Sequence, residues 1–279
     1  MTLSDNDVQK IANDIWHAEQ TGEWTESPSN RFPDITVEDG YAIGTAVRDL
    51  KLAAGRSVKG HKIGLTSKAM RDMTGATEPD YGYIYDDWFV LEGETIERSS
   101  LNRPLVEVEL AFVMKEELKG PSVNVADVIR ATDFILPALE IVDTRYKDRG
   151  PNMLVDSISD TAWCGGVVLG GNPARLEDID IRRVGASLSI NGEIIETGSA
   201  VAVMSNPISA VAWLANTLHR FGTSMQPGDV ILSGSFVRAV PFDANQSLVA
   251  LFDGLGEVTF KLAPCAIQLI TIFWIQGFS

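Results

Sequence analysis

Residues 105–114 read LVEVELAFVM, and the fold is decided by how this stretch is read. Val106, Val108 and Leu110 alternate with Glu107 and Glu109, the two-residue repeat of a strand, so the apolar side chains face one way and both carboxylates the other. Runs of similar character occur at VKGHKIGL from Val58, ILPALEIVD from Ile135 and CGGVVLG from Cys164, each bounded by glycine, proline or acidic residues. The chain from Val58 onward is therefore expected to be strand-rich. Asn191-Gly192, set between two β runs in SLSINGEIIETG, tolerates the positive φ angles of a tight hairpin. Asn206-Pro207 opens a helix over ISAVAWLANTLHR that stops near Gly222, and PGDVILSGSF and SLVALFDGLGEVTFKL return to strands.

Upstream the periodicity changes. Val8, Ile11, Ala12, Ile15 and Trp16 recur at helical spacing behind a Ser4 cap, and Thr36 starts a second helix that ends at Gly55. TESPSNRFPD between them reads as a loop. Residues 1–57 are thus expected to form a small helical region ahead of a main body over 58–263.

With 45% hydrophobic and 22% charged residues among 279, the chain has the composition of a globular protein with a real core. Its 23 basic and 38 acidic residues give a formal charge of −15, which disfavours nucleic acid and anionic membrane surfaces. Cys164 and Cys265 have no zinc or disulfide spacing, and MTLSDNDVQK carries no secretory signal, so a cytoplasmic setting is expected. Residues 266–275, AIQLITIFWI, are apolar but too few to span a bilayer. They read as a packing or interface segment, with a membrane anchor as the alternative. Gly165-Gly166 and Gly170-Gly171 lack the strand–GxGxxG–helix setting of a dinucleotide site, and His17, His61 and His219 have no acidic partner that would make a triad.

Chemistry is suggested by carboxylates. Glu107 and Glu109 share one strand face, and Glu140 lies in the apolar run ILPALEIV, where an unpaired charge would be costly to bury. Two readings stand: a sheet face turned to water, or oxygen ligands for a hard divalent cation such as magnesium or manganese.

Six separated motifs, GHKIGLTSKAM, EPDYGYIYDD, VEVELAFV, ATDFILPALEIVDTR, SISDTAWCGGVVLGG and GDVILSGSF, resemble in the same order the 2-oxopent-4-enoate hydratase family of the fumarylacetoacetate-hydrolase-like superfamily. The resemblance implies an α+β fold with a mixed, mostly antiparallel β-roll core. It implies Mg2+, or Mn2+, on Glu107, Glu109 and Glu140, with Lys62 and Asp80 as catalytic groups. It further implies Arg145, Ser159 and Ser235 at the substrate, Ser235 through a hydroxyl or backbone N–H and Arg145 alternatively bracing an acidic side chain. The reaction implied is hydration of 2-hydroxy-2,4-dienoates from aromatic meta-cleavage, by a homo-oligomer that can associate with a pathway decarboxylase. A 2-oxo-3-enedioate decarboxylase and a non-catalytic oxo-acid-binding subunit are the alternatives. Within EPDYG, composition alone reads Asp80 as a turn residue.

Overall fold

The computed structural model describes residues 2–264, so the apolar run over 266–275 lies outside the described residues. The chain opens with α1 (Asp5–Thr21), α2 (Pro28–Arg31) and α3 (Val37–Ala53), then β1 (Val58–Gly64), α4 (Lys68–Thr74), β2 (Asp80–Tyr85), β3 (Phe89–Val90) and β4 (Thr95–Ile96). The long strands β5 (Leu105–Met114) and β6 (Thr132–Val142) flank α5 (Val125–Ala131). They are followed by α6 (Met153–Ser159), β7 (Cys164–Leu169), β8 (Gly185–Ile190), β9 (Glu193–Ser199) and α7 (Pro207–Arg220). The closing strands are β10 (Val230–Leu232), β11 (Val240–Pro241), β12 (Ser247–Phe252) and β13 (Gly256–Leu262).

Two sheets organise these elements. One has eight strands in the order β2-β1-β10-β5-β6-β7-β3, with β11 also on β5, and the other runs β4-β13-β12-β8-β9. Pairing is antiparallel except for β1 with β10, β3 with β7 and β4 with β13, giving the mixed, mostly antiparallel α+β architecture. The alternation of β5 is realised: Val106, Val108 and Leu110 are fully buried in the main core. The apolar face of α7 packs into the same core, with Val211, Leu214 and Leu218 buried.

Local signals act as their chemistry requires. Ser4 accepts from the Asp7 N–H at the start of α1, and Thr36 and Asp39 form a reciprocal capping box on α3. Asn191 and Gly192, at φ 53° and 83°, turn β8 into β9. The segment read as a loop over 25–34 contains α2, because Ser27 and Pro28 supply a cap position and a preset φ for one helical turn. Asp80 is not in a turn either: it opens β2, paired with Gly64 across β1.

A second core joins the N-terminal helices to the site. Val8, Ile11, Ile15, Ile43 and Val47 of α1 and α3 enclose Tyr146 and Val155, the latter on α6. Close approach of α3 to α6 depends on Gly44, where an added Cβ would sit 2.9 Å from the Ile158 carbonyl oxygen.

Candidate active site and metal centre

In the β5–β6 ladder Glu107 lies directly opposite Glu140, and Glu109 follows two residues along β5 on the same face. One carboxylate oxygen from each lies within 4.8 Å of the others. Glu109 and Glu140 are fully buried and Glu107 is half-buried, which selects against a water-facing sheet surface as the explanation of the pattern. Gly234 donates its N–H to Glu109 Oε2 at 2.7 Å, while Glu109 Oε1 and Glu140 Oε2 have no hydrogen-bond partner and Glu140 Oε1 has only the Lys62 ammonium, at 3.2 Å. Buried carboxylate oxygens without donors are costly, and a hard cation is the group whose chemistry fits three of them at this spacing.

Lys62 is the cation the fold itself supplies. It lies on β1, 4% exposed, with Nζ 3.2 Å from Glu140 Oε1. Burial works against its charge, but Glu140, Glu107, Asp80 and Glu109 outweigh that and hold its pKa above the ordinary value. The carboxyls respond in the opposite sense. Burial, opposed by Lys62 and reinforced by Glu107, pushes Glu140 up to about 7, and burial with both neighbouring carboxylates raises Glu109 well above its usual range. Glu107 is raised by burial too, against the pull of Lys62. A single ammonium thus faces Glu107, Glu109, Glu140 and Asp80, a cluster short of positive charge.

Asp80 is 1% exposed and accepts from Ser157 Oγ at 3.0 Å through Oδ2, while Oδ1 is unpaired. Burial raises its pKa; Lys62 and Ser157 act the other way. A proton carrier near neutrality needs such a lift. Gly64 makes room for it, since a Cβ there would stand 2.2 Å from Asp80 Oδ1.

These groups open on a cavity of about 360 Å³ whose wall includes Lys62, Asp80, Glu107, Ser157 and Ser235. A depression of about 560 Å³ near Asp14, His17 and Arg31 shares no residue with it. Ser235 reaches the wall, but its hydroxyl is occupied by β5, accepting from the Val108 N–H at 3.1 Å and donating to the Val108 carbonyl at 3.3 Å.

Arg145 and Ser159 lie off this wall. Arg145, 4% exposed, donates from Nε to Asp160 Oδ1 at 2.5 Å, from Nη1 to the Cys164 carbonyl and from Nη2 to the Asp160 carbonyl, both at 2.9 Å. Its fork braces an acidic side chain, the alternative reading of this residue, and it does not line the cavity. The backbone it clamps is strained: Thr161, Ala162 and Trp163 have φ of 50°, 52° and 57°, and Ala162 and Trp163 form part of the cavity wall. Ser159 turns its hydroxyl back to the Val155 carbonyl at 2.7 Å, a bond within α6.

Ser157, rather than Ser159, is the serine of α6 on the cavity wall. Met153 and Leu154 also line the cavity, and Ser157 lies four and three residues on, the same face of α6, whereas Ser159 is turned away by two further residues. That periodicity was available in the sequence once the segment is recognised as helical. His61, beside Lys62, points the other way and is buried against Tyr81 and Tyr83, where burial, with a smaller push from Arg48, lowers its pKa to about 3.

Residues 52–263 match the family described as Fumarylacetoacetate (FAA) hydrolase C-terminal. The chain is 41% identical over 256 residues to 2-oxo-hept-4-ene-1,7-dioate hydratase of Escherichia coli, covering 90% of this chain and 96% of that protein. It is 36% identical over 250 residues to 2-keto-4-pentenoate hydratase of Paraburkholderia xenovorans, covering 90% and 93%. Among solved structures, 4-oxalocrotonate decarboxylase from Pseudomonas putida G7, complexed with magnesium and adipate, superposes with a TM-score of 0.89 at 33% identity, covering 94% of this chain and 99% of that one.

Proposed function

The chain belongs to the fumarylacetoacetate (FAA) hydrolase family, and from that premise we propose that it is a divalent-metal-dependent hydratase adding water to 2-hydroxy-2,4-dienoates to give 4-hydroxy-2-oxo acids. The observation that carries this reading is the convergence of Glu107, Glu109 and Glu140 on one another, with Glu107, Lys62 and Asp80 lining one cavity. Identity of 41% to a hydratase across nearly the whole chain supports it.

Glu107, Glu109 and Glu140 would hold magnesium, or manganese. Bound there, the ion supplies Lewis acidity toward the adjacent carboxylate and carbonyl oxygens of a 2-oxo acid. Lys62 adds a fixed positive charge where negative charge develops on the substrate oxygen as the dienol ketonises. Asp80, raised by burial and oriented by the Ser157 hydroxyl, holds or delivers the proton that moves between carbon and water. Water then adds at C4 of the conjugated ketone. The cavity's half-buried apolar wall, Leu105, Leu154 and Trp163, packs against the hydrocarbon part of the substrate.

Loss of carbon dioxide from a 2-oxo-3-enedioate would use the same set of groups, and the TM-score of 0.89 to a decarboxylase favours it as the second reading. A cytoplasmic homo-oligomer, able to associate with a pathway decarboxylase, is part of the proposal. The test is turnover of freshly generated 2-hydroxypenta-2,4-dienoate and its diacid homologue with and without magnesium, products identified by NMR. Metal-dependent formation of 4-hydroxy-2-oxo acids is expected. Carbon dioxide release selects the decarboxylase; magnesium binding without turnover selects a binding subunit.

A further inference from the structure

The cavity wall carries charge of two kinds. Lys62 and Asp80 form its buried pole, 4% and 1% exposed, while two exposed guanidinium side chains, Arg149 and Arg238, line the same cavity together with the half-buried apolar Leu105, Met153 and Val237. The two differ. Arg238 is occupied, its Nε 2.6 Å from Glu196 Oε1. Arg149 has no carboxylate within ion-pair distance among the described residues. In a chain of formal charge −15, an arginine left without an acidic partner on a cavity wall is a place where an anion is favoured.

The backbone on either side of Arg149 is also held in place. Two residues before it, the Lys147 N–H donates to the Thr25 carbonyl at 2.8 Å. On the other side Gly150 lies against Ser27 and Ser29, and the Asn152 N–H donates to Ser29 Oγ at 3.2 Å. Ser29 is itself fixed by Asp156, which accepts from its N–H at 2.9 Å and its hydroxyl at 2.7 Å. The segment carrying Arg149 is thus tied at both ends to the N-terminal region, and less ordering entropy remains to be lost when a ligand pairs with it.

We propose that Arg149 binds the distal carboxylate of a linear dicarboxylic substrate whose oxo-acid end occupies the Lys62–Glu107 pole. Two anionic ends joined by an apolar middle match a wall that combines a buried ammonium, an exposed unpaired guanidinium and apolar side chains. This rests on the oxo-acid reading of the buried pole given above. A guanidinium meets a carboxylate through paired N–H donors, which gives direction as well as charge.

The test is titration calorimetry on the magnesium-loaded full chain with two unreactive probes, 2-oxoheptanedioate and 2-oxoheptanoate. The diacid is expected to bind about three- to tenfold more tightly, the range for a partly exposed hydrogen-bonded ion pair. Arg149→Met should abolish that preference by weakening the diacid alone, with the monoacid unchanged, and Arg149→Lys should restore part of it. Arg238→Met should leave the preference intact. Equal binding of the probes by the parent, a preference that survives Arg149→Met, or one abolished by Arg238→Met instead, each overturns the assignment while leaving the oxo-acid reading in place. If neither probe binds, the buried pole is not an oxo-acid site and both readings fall together.

Discussion

Replacing Arg145 with Met removes a buried cation that makes three side-chain hydrogen bonds and leaves Asp160, 1% exposed, facing an apolar group. Stranding one partner of a buried pair costs about 3–5 kcal/mol if the charge persists. Asp160 has a less costly route. Burial already lifts its carboxyl to about 6, against the pull of Arg145 and the Arg145 N–H, so taking up a proton at pH 7 costs about 1.4 kcal/mol or less. Two carbonyls also lose their donors, at about 1 kcal/mol each. The expected loss is about 2–4 kcal/mol at pH 7, read by urea denaturation. Its pH dependence has a definite sign. A carboxyl whose pKa is higher folded than unfolded binds protons more tightly in the native state, so stability falls as pH rises from the unfolded value to the folded one. Without Arg145 the folded value climbs further, so the deficit should widen above pH 6. Asp160→Asn added to Arg145→Met should recover stability at pH 8 and little at pH 5. Because Arg145 clamps the left-handed Thr161–Trp163 turn against the cavity, kcat/KM should fall even where the fold persists. A loss under about 1 kcal/mol, or a deficit constant from pH 5 to 8, refutes the clamp.

Three further outcomes are expected. Asp39→Asn should destabilise the fold by about 2 kcal/mol at pH 7. Although burial opposes its charge, N–H and hydroxyl donors from Thr2, Leu3 and Thr36 hold the Asp39 carboxyl well below its usual range, so this stabilisation should fade as pH drops below about 4 in pH-resolved urea titrations. Glu107→Gln should lose magnesium affinity and activity together while circular dichroism is unchanged, since the side chain is half-buried and leaves no core cavity; retained affinity in a metal titration removes Glu107 from the ligand set. Ser157→Ala should lower kcat about tenfold or more by freeing Asp80 Oδ2, while Ser159→Ala, whose hydroxyl only returns to the Val155 carbonyl, should leave steady-state kinetics near the parent's.

The strands and the acidic triad were legible for one reason: the alternation of β5 is enforced by burial of Val106, Val108 and Leu110, and two residues of the same parity must share a face. What the alternation could not say is that Glu107 stands opposite Glu140, because register is set by pairing between strands far apart in sequence. The helix caps at Ser4, Thr36 and Asn206 were legible as local chemistry. The helical turn in 25–34 and the helix over 153–159 were not, being too short for a 3.6-residue pattern to stand out from polar composition. The helix decides which serine faces the cavity, because Ser157 shares the face of Met153 and Leu154 and Ser159 does not. Arg145 is a different case: a guanidinium near acidic motifs is ambiguous between substrate and scaffold, and the buried contacts with Asp160 and the Cys164 carbonyl are those of the bracing alternative.

The N-terminal helices illustrate how a segment that looks separable in sequence can be part of a site it does not touch. Composition sets residues 1–57 apart from the strand-rich body, yet no side chain of α1 or α3 lines the cavity. Their contribution passes through α6. Ile43 and Val47 pack with Val155, Gly44 admits the Ile158 carbonyl, and Ser29 binds Asp156. From the opposite face α6 presents Ser157 to Asp80. Displacing α6 by a single ångström would break a 3.0 Å hydrogen bond and alter the proton affinity of a carboxyl already lifted by burial. Gly44→Ala, which drives a methyl into a backbone oxygen 2.9 Å away, is therefore expected to affect catalysis before it affects global unfolding. The signature is a fall in kcat with KM for the dienoate and the urea midpoint near the parent's. Equal losses in stability and activity would mean that α3 supports the fold alone, and that the site does not depend on how closely α6 is seated.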